Sequence, residues 1–239
     1  MRYTWANATH VGRVRVGNED SVRPLIDGST EEPTVIAVAD GMGGAVAGEV
    51  ASRIAIDAAL TEPADAAIEP SDRIRAGNDA VLAAVAEDYT LSGMGTTLTL
   101  GLFLPAGLLR VAHIGDSRLY LLRNGTLEQL TTDHTLVAEL VAMGQITAEQ
   151  AATHPRRNLV TKVIGTQEVS VDEFDVDLEP GDRVLFCSDG LNNMLRDDAI
   201  AEILTGSVAP SDAAWSLVEA ANAAGGADNT TVAVVDVSL

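Results

Sequence analysis

The hydrophobic positions of the chain fall into short runs, most of which end at a turn residue. Such runs lie at about 4–9, 34–39, 96–104, 108–114 and 118–123, and they return at about 174–178, 183–187 and 230–237. Runs of this length are typical of β-strands. Pro105 and Gly107 indicate one turn, and the Asn124-Gly125 pair predicts a tight hairpin. The pattern therefore predicts antiparallel strands.

Apolar residues at helical spacing predict four longer helices. The first covers about 47–60, with Val50 and Ile54 on one face, and the second covers about 71–89, with Ser71 as its N-cap residue. The other two cover about 197–204 and 211–223. Helices thus come in adjacent pairs and strands in hairpin-like groups. This arrangement predicts an α+β fold in which antiparallel sheets are covered by helices.

The middle of the chain has a different pattern. Residues 133–157 are polar, with short helical stretches, two histidines, Gly144 and Pro155. We interpret this segment as an excursion from the sheets. The length of 239 residues suffices for one large domain or two small ones, and no low-complexity stretch in the sequence indicates a linker.

Three aspartates follow apolar runs in the same way. Asp40 follows the run in VIAVADGMGG, Asp116 follows that in VAHIGDS, and Asp189 follows that in VLFCSDG. A lone aspartate at such a position is normally a turn residue, but three repeats favour a shared role. Asp228, just before the last predicted strand, and the segment 18–20 (NED) add further carboxylates.

These carboxylates would meet if the strand ends lie at one edge of the sheets. Closely packed like charges repel, so such a cluster requires cations. Ligand sets made only of oxygen favour Mg²⁺ or Mn²⁺. Gly41 leaves its carbonyl accessible as another oxygen ligand. Arg15, five residues before Asp20, is a natural clamp for a phosphate group beside such ions.

The charge balance limits the partners. The chain has 35 acidic and 15 basic residues and a formal net charge of −20, which disfavours nucleic acid as a partner. The N-terminus lacks the apolar core of a signal peptide, and the longest apolar stretch, 98–109, is too short to span a bilayer. We therefore predict a cytoplasmic protein. The single cysteine, Cys187, lies in an apolar run and is expected to be a core thiol.

Other phosphate chemistries and zinc do not fit the sequence. A cysteine-dependent phosphatase needs an arginine six residues after its nucleophile, but that position is Asn193. A Gly-Lys-Ser/Thr phosphate loop is excluded because the one lysine, Lys162, lies in another context. The glycine run that starts at Gly41 has Val46 where a dinucleotide loop needs glycine. Zinc is disfavoured because the four histidines form no ligand-spaced pair.

Eight short sequence stretches are spread over nearly the whole chain, from residue 12 to residue 235. They are GRVRVGNED (12–20), VADGMGG (38–44), GMGTTL (93–98), HIGDSRLYLL (113–122), LTTDHT (130–135), HPRRNLVTKVIG (154–165), DRVLFCSDGL (182–191) and DNTTVAVV (228–235). In these stretches the chain resembles the bacterial metal-dependent serine/threonine protein phosphatases of type 2C. The resemblance implies a single catalytic domain over 1–239, with two antiparallel sheets packed face to face and helices on both outer sides. It also implies that 133–157 form the flap, which is the family's mobile element beside the active site.

The resemblance also implies the main metal ligands. Asp40 would bridge two Mg²⁺ or Mn²⁺ ions, and the carbonyl of Gly41 would bind one of them. Asp189 and Asp228 would hold the other ion. Two metals about 3.5–4 Å apart can share a water and lower its pKa toward roughly 7. The resulting hydroxide would attack phosphorus in line with the leaving oxygen, without a phospho-enzyme.

Other residues have supporting roles in the resemblance. Glu19 would lie near the second ion, and Asp20 would orient its waters. Asp116 would help Asp189 to hold a third, weaker ion, and Arg15 would bind the substrate phosphate. Both Arg15 and the metals would neutralise charge on the transferring group.

One position departs from part of the family. Animal members have a histidine that is proposed to protonate the leaving alkoxide, whereas this chain has Met42, as bacterial members often do. Methionine cannot donate a proton. A metal-bound water is therefore our first candidate for the general acid, and His10 and His134 are weaker ones.

The main hypothesis is a monomeric Mg²⁺- or Mn²⁺-dependent phosphatase of phosphoserine and phosphothreonine proteins that opposes a bacterial Ser/Thr kinase. One alternative is a pseudophosphatase that acts as a binding module, which the intact Arg15, Asp40, Asp189 and Asp228 argue against. The other is an enzyme of another class that holds a nucleotide at the glycine turn. The missing third glycine argues against it.

Overall fold

The computed structural model of the chain describes residues 1–44 and 47–239. Its elements, in chain order, are β1 (Arg2–His10), β2 (Asp20–Arg23), β3 (Gly28–Thr30), β4 (Thr34–Met42), α1 (Ala47–Ala59), α2 (Pro70–Glu87), β5 (Gly95–Thr96), β6 (Leu98–Phe103), β7 (Leu108–Ile114), β8 (Arg118–Arg123), β9 (Thr126–Gln129), α3 (Leu136–Ala142), α4 (Ala148–Ala152), β10 (Asp172–Asp177), β11 (Arg183–Cys187), α5 (Asp189–Asn192), α6 (Asp197–Gly206), α7 (Pro210–Ala223) and β12 (Thr230–Ser238). A short 3₁₀ helix covers Tyr89–Leu91. Within these residues, no helix has the length and apolarity needed to cross a membrane. Ala45 and Val46, and with them the position that argued against a nucleotide loop, lie outside the described residues.

The strands form two antiparallel sheets. The first has the order β3-β1-β12-β11-β8-β9, and the second has the order β10-β7-β6-β4-β2, with β5 paired to β4. The terminal strands β1 and β12 lie side by side in the first sheet, from Arg2 opposite Ser238 to His10 opposite Thr230. Hairpins and adjacent pairings of this kind agree with the α+β class predicted from the sequence.

The core is divided into three layers. Between the sheets, the rings of Tyr3, Phe103 and Phe186 pack in series, with centroid distances of 5.0 and 6.2 Å. Helices α1 and α2 cover the outer face of the second sheet, and α6 and α7 cover that of the first. The expected sandwich with helices on both sides is therefore confirmed.

Several predicted strand boundaries agree with the structure. The predicted Asn-Gly turn is followed by one strand that the hydrophobic pattern did not predict. Strands β7, β8 and β11 have the predicted limits. Asn124 and Gly125 both have positive φ (53° and 78°), as a tight hairpin turn requires. The strand after this turn, β9, was not predicted because its sequence, TLEQ, has a single apolar residue.

Three local predictions were wrong. Ser71 is not an N-cap residue, because α2 begins at Pro70 after Glu69, and the Ser71 N–H donates to Glu173 Oε2 (3.1 Å). The same helix ends at Glu87 rather than at 89. The predicted strand 96–104 is interrupted at Thr97, whose N–H donates to the carbonyl of Asp40 (2.9 Å).

Candidate metal and phosphate site

Most of the predicted site residues line one cleft of about 620 Å³. They are Arg15, Glu19, Asp40, Gly41, Asp116, Asp189 and Asp228. Met42 and Asn158 also line it. Asp20 does not, because it lies beneath the cleft against Asp40. Within the described residues, the expectation that the carboxylates meet at one edge therefore matches the geometry.

Asp20 and Asp40 face each other on neighbouring strands. They are direct partners in the antiparallel pairing of β2 with β4. Burial, followed by repulsion from Asp20 and Asp189, holds the pKa of Asp40 well above its ordinary value. Burial also raises the pKa of Asp20 to about 7. Since like charges directly opposite are unfavourable, this pair stores electrostatic repulsion at the base of the cleft.

Asp40 is held rigidly by its backbone. Its N–H donates to Thr97 Oγ1 and its carbonyl accepts from the Thr97 N–H, both at 2.9 Å. The Thr97 hydroxyl also contacts Ser117 Oγ at 2.7 Å. Strand β4 thus continues past Asp40 to Met42 instead of ending at the aspartate as the sequence suggested.

Packing requires a glycine at position 41, in addition to the need for an accessible carbonyl. A Cβ at this position would lie 2.0 Å from the carbonyl oxygen of Gly48, in the first turn of α1. It would also lie 2.7 Å from the carbonyl of Glu19, which accepts a hydrogen bond from the Gly41 N–H (3.1 Å). The glycine after Asp40 therefore lets α1 and the Glu19 loop approach the strand.

Asp189 starts the short helix α5 directly after β11. Burial and the charge of Asp228 raise the pKa of Asp189 to about 6, although hydrogen bonds from Asp40 and Asn193 counteract this rise. Asp40 and Asp189 therefore lie close enough for each to affect the pKa of the other. Gly190 repeats the packing seen at Gly41, because a Cβ there would lie 1.8 Å from the carbonyl oxygen of Asn229.

Arg15 is paired with one of these carboxylates. Its guanidinium nitrogen Nη2 lies 2.6 Å from Asp228 Oδ2, with side chains 51% and 29% exposed. The hydrogen bond to Asp228 raises the pKa of Arg15. The cation expected to bind phosphate thus lies at the mouth of the cleft, next to the acidic cluster.

Asn229 is a site residue that sequence reasoning missed. Its Oδ1 accepts from the Glu19 N–H (2.8 Å), and its Nδ2 donates to the carbonyls of Val11 (2.8 Å) and Gly17 (2.9 Å). One amide therefore fixes both ends of the loop that carries Arg15. The DNTT stretch contained the signal, but it drew attention only to Asp228.

Ser188 connects the two sheets below the cleft and was also missed. Its hydroxyl donates to Asp20 Oδ2 (2.7 Å) and accepts from the Thr231 N–H (3.0 Å). The other oxygen of Asp20, Oδ1, is buried and has no hydrogen-bond partner among the described residues.

Glu19 and Asp116 both line the cleft. Burial is the main cause that raises the pKa of Glu19. Asp116 is 7% exposed, and burial together with the charge of Asp189 raises its pKa to about 8. Burial thus disfavours the charged form of both carboxyl groups, and a nearby cation would favour it.

The histidines named as acid candidates do not line this cleft. His10 Nδ1 accepts from the Gly12 N–H (2.9 Å), and His134 is buried against His113. His113 is fully buried in β7. Cys187 is also fully buried, and burial raises its pKa to about 12, which confirms a core thiol.

Comparison with known proteins identifies the family. The sequence pattern of protein phosphatase 2C matches residues 13–223. The chain belongs to the protein phosphatase 2C family. The fold and the sequence motifs named above, from the Arg15 loop to the DNTT stretch, agree with this membership.

Bacterial members of the phosphatase 2C family are similar over nearly all of the chain. The serine/threonine protein phosphatase PstP of Mycobacterium tuberculosis is 44% identical over 232 residues, which is 95% of this chain but 43% of that protein. This chain therefore spans less than half of the PstP sequence. The protein phosphatase PhpP of Streptococcus pneumoniae is 38% identical over 238 residues, or 96% of each chain.

Solved structures of the family have the same fold. The crystal structure of the M. tuberculosis phosphatase PstP superposes with a TM-score of 0.92 and 40% identity, covering both chains fully. The catalytic domain of PstP in complex with two manganese ions gives a TM-score of 0.88 and 41% identity, again over both full chains.

The donor groups of this phosphatase 2C chain fit hard divalent cations. All side chains in the cluster are carboxylates, three of them with pKa values raised to about 6, 7 and 8 at Asp189, Asp20 and Asp116. Repulsion of this kind is relieved by a cation. Among residues 1–44 and 47–239, however, no group of three or more His, Cys, Asp or Glu side chains is placed so that it could hold a metal ion. Mg²⁺ is typically bound through one or two carboxylates and keeps several waters.

Proposed function

We propose that this chain is a Mg²⁺- or Mn²⁺-dependent phosphatase of phosphoserine and phosphothreonine proteins. One observation carries the proposal: Asp40, Asp189 and Asp228 converge with Arg15 in one cleft. The family membership and the names of the relatives support it, since these are serine/threonine phosphatases. No other chemistry considered above requires this combination of buried carboxylates and an arginine.

Four residues of the cleft would hold the two main ions. Asp40 and the carbonyl of Gly41 would hold one ion, and Asp189 and Asp228 would hold the other, with Asp40 shared between them. Glu19 and Asp20 would hold waters of these ions. Asp116, together with Asp189, would hold a third and weaker ion. The PstP catalytic domain with two manganese ions supports the first two.

The chain's own residues fix the acidic cluster and the substrate phosphate. Bound cations would supply a water of lowered pKa and would neutralise charge on the phosphoryl group. Thr97 holds the backbone of Asp40, so that its carboxylate is presented in one orientation. Asn229 fixes the loop of Arg15 in a similar way.

Arg15 would exchange one anionic partner for another. Its pair with Asp228 is half exposed, and pairs of this kind contribute about 1 kcal/mol or less. With Asp228 held by a bound cation, the planar fork of Arg15 would be free to bind two phosphate oxygens. Met42 lines the cleft, but its side chain cannot donate a proton, so the leaving oxygen would take its proton from water.

The wider setting is also part of the proposal. Residues 133–157 would form a flap beside the cleft within a single catalytic domain, and they contain α3 and α4. The protein would be a cytoplasmic monomer that opposes a bacterial Ser/Thr kinase. The names of the relatives support a role in phosphoprotein signalling.

A phosphate-release assay tests the proposal. p-Nitrophenyl phosphate and a phosphothreonine peptide are incubated with the purified chain in Mn²⁺, in Mg²⁺ and in EDTA. We expect turnover of both substrates with metal and none with EDTA. Mn²⁺ binding without turnover of either substrate would instead support the pseudophosphatase.

A further inference from the structure

The turn that carries Asp116 makes two hydrogen bonds with His134. Gly115, just before Asp116, donates its N–H to His134 Nδ1 (3.0 Å). The N–H of His134 donates in return to the carbonyl of Gly115 (2.8 Å). Gly115 has a φ of +112°, and a Cβ there would lie 2.4 Å from Thr97 Cγ2, so that the turn has little room to move. One residue thus satisfies both backbone polar groups of Gly115.

The ring of His134 is itself fixed in position. It is buried and stacks on His113, with a centroid distance of 4.9 Å and an interplanar angle of 25°. His113 is held by Thr99 Oγ1 at Nδ1 (2.8 Å) and by the carbonyl of Thr132 at Nε2 (3.2 Å). The neighbouring ring therefore acts as a rigid support for His134.

The contacts of His134 also define its tautomer. Because Nδ1 accepts from a backbone N–H, the proton of the neutral ring is on Nε2. Nε2 lies 3.1 Å from Asp172 Oδ2, yet its N–H is not aligned for a hydrogen bond. The hydrogen bond that the ring makes is therefore the one from the Gly115 N–H, while Asp172 is a close neighbour of Nε2.

His134 lies where the segment 135–160 leaves and rejoins the core. Its carbonyl accepts from the Thr161 N–H (2.8 Å), and the next residue, Thr135, forms an isolated bridge with Val160. Leu159 and Val160 in turn line the cleft of Asp40. A single residue therefore connects the turn of Asp116 with the base of this segment.

We propose that His134 is a positioning residue for Asp116, and that its Nδ1 bond to Gly115 orients that carboxylate for cation binding. The inference rests on the proposed function, because it assumes that Asp116 contributes to a cation site. His134 touches neither substrate nor cation in this scheme. It acts through Gly115, and its effect is on the affinity for the ion.

Two amide variants separate the two ends of the ring. His134→Asn places an amide oxygen near Nδ1 and keeps an acceptor for the Gly115 N–H. His134→Gln places its amide near Nε2, toward Asp172, and leaves Gly115 unsatisfied. His134→Ala removes both contacts, and His154→Ala is the matched control, since His154 lies in the same part of the chain and caps the N–H of Arg156.

Titration calorimetry with Mn²⁺ on the full chain gives the first readout, with Asp116→Asn defining the binding step that depends on Asp116. Loss of a residue that orients a ligand typically weakens metal affinity 10–100-fold. We expect His134→Ala and His134→Gln to weaken that step by about tenfold or more. His134→Asn should restore it to within about threefold of the wild type, and His154→Ala should leave it unchanged.

Amide hydrogen exchange of Gly115 in the metal-free protein gives the second readout. We expect faster exchange in His134→Ala and in His134→Gln, and protection in His134→Asn. Lower thermal stability of His134→Ala with unchanged Mn²⁺ affinity would overturn the inference, and so would restoration by Gln instead of Asn. If Asp116→Asn binds Mn²⁺ like the wild type, the role of Asp116 and this inference both fail. Absence of any Mn²⁺ binding by the wild type would instead overturn the proposed function.

Discussion

Asp20 and Asp40, both half-buried aspartates, are direct partners across the ladder between β2 and β4. A hydrogen bond from Ser188 satisfies one oxygen of Asp20, and the other oxygen has no partner in the described part of the chain. A sheet chosen for stability alone would avoid this pairing. We infer that the repulsion is retained because cations relieve it when the site is filled.

The metal-free protein is therefore expected to gain stability when one of these charges is removed. Asp20→Asn keeps an oxygen that can accept from Ser188 and abolishes the repulsion. For a chain of this size, a gain of about 1 kcal/mol corresponds to roughly 2–4 °C in melting temperature. Scanning calorimetry in EDTA at pH 8 measures it, with the exposed Asp79→Asn in α2 as the control. A melting temperature below that of the control variant would show that repulsion between Asp20 and Asp40 does not destabilise the metal-free protein.

The stability of the metal-free protein should fall as the pH rises. The folded-state pKa values of Asp189, Asp20 and Asp116 are raised to about 6, 7 and 8, whereas unfolded aspartates titrate near 4. Between about pH 4 and pH 8 these carboxyl groups therefore bind more protons in the folded state than in the unfolded state, so their contribution to the free energy of unfolding decreases as the pH increases. Burial lowers the pKa of His113 to about 4 and also lowers that of His134, so the two histidines act in the opposite direction below about pH 6.5.

Thermal unfolding in EDTA from pH 5 to pH 8.5 measures this dependence. We expect a falling melting temperature, a shallower slope for Asp116→Asn, and recovery at pH 8 when Mn²⁺ is added. A melting temperature that rises over the same range in EDTA would show that these carboxyl groups do not titrate as proposed.

The sequence was sufficient to predict the sheets but not the supports of the site. Apolar runs located β7, β8 and β11 because these strands are buried on both faces. The aspartates that follow three of the apolar runs likewise located the acidic cluster. Asn229 and Ser188 could not be found in this way, because their roles depend on which loops and strands meet in three dimensions.

Asp189→Asn should lose most phosphatase activity while the fold survives. The change removes a carboxylate that begins α5 and lines the cleft together with Asp40, but it preserves the shape of the side chain. Turnover of p-nitrophenyl phosphate in Mn²⁺ gives the activity, and near-ultraviolet circular dichroism reports the packing. The exposed Asp198→Asn in α6 is the control. Activity close to that of the control would remove Asp189 from the proposed metal site.

Arg15→Ala should mainly raise the KM for the phosphorylated substrate, because it removes binding to the phosphate. It should not weaken Mn²⁺ binding, because the same change frees Asp228 from its ion pair. Kinetics with the phosphothreonine peptide and calorimetry with Mn²⁺ measure the two effects separately. The exposed Arg196→Ala is the control. An unchanged KM would exclude Arg15 from the phosphate site, and weaker Mn²⁺ binding would show that the pair with Asp228 helps to form the cation site.

Gly190→Ala should destabilise the protein strongly, because the added Cβ would lie 1.8 Å from the carbonyl oxygen of Asn229. Either α5, which carries Asp189, or the segment just before β12, which carries Asp228, must then move. Gly206→Ala at the end of α6 is the matched control, since a Cβ there meets no atom within 4 Å. Glycine-to-alanine changes at such open positions stabilise by about 0.4–1 kcal/mol. Chemical denaturation measures the free energy of unfolding of both variants. Equal stability of the two would mean that packing does not require a glycine at position 190.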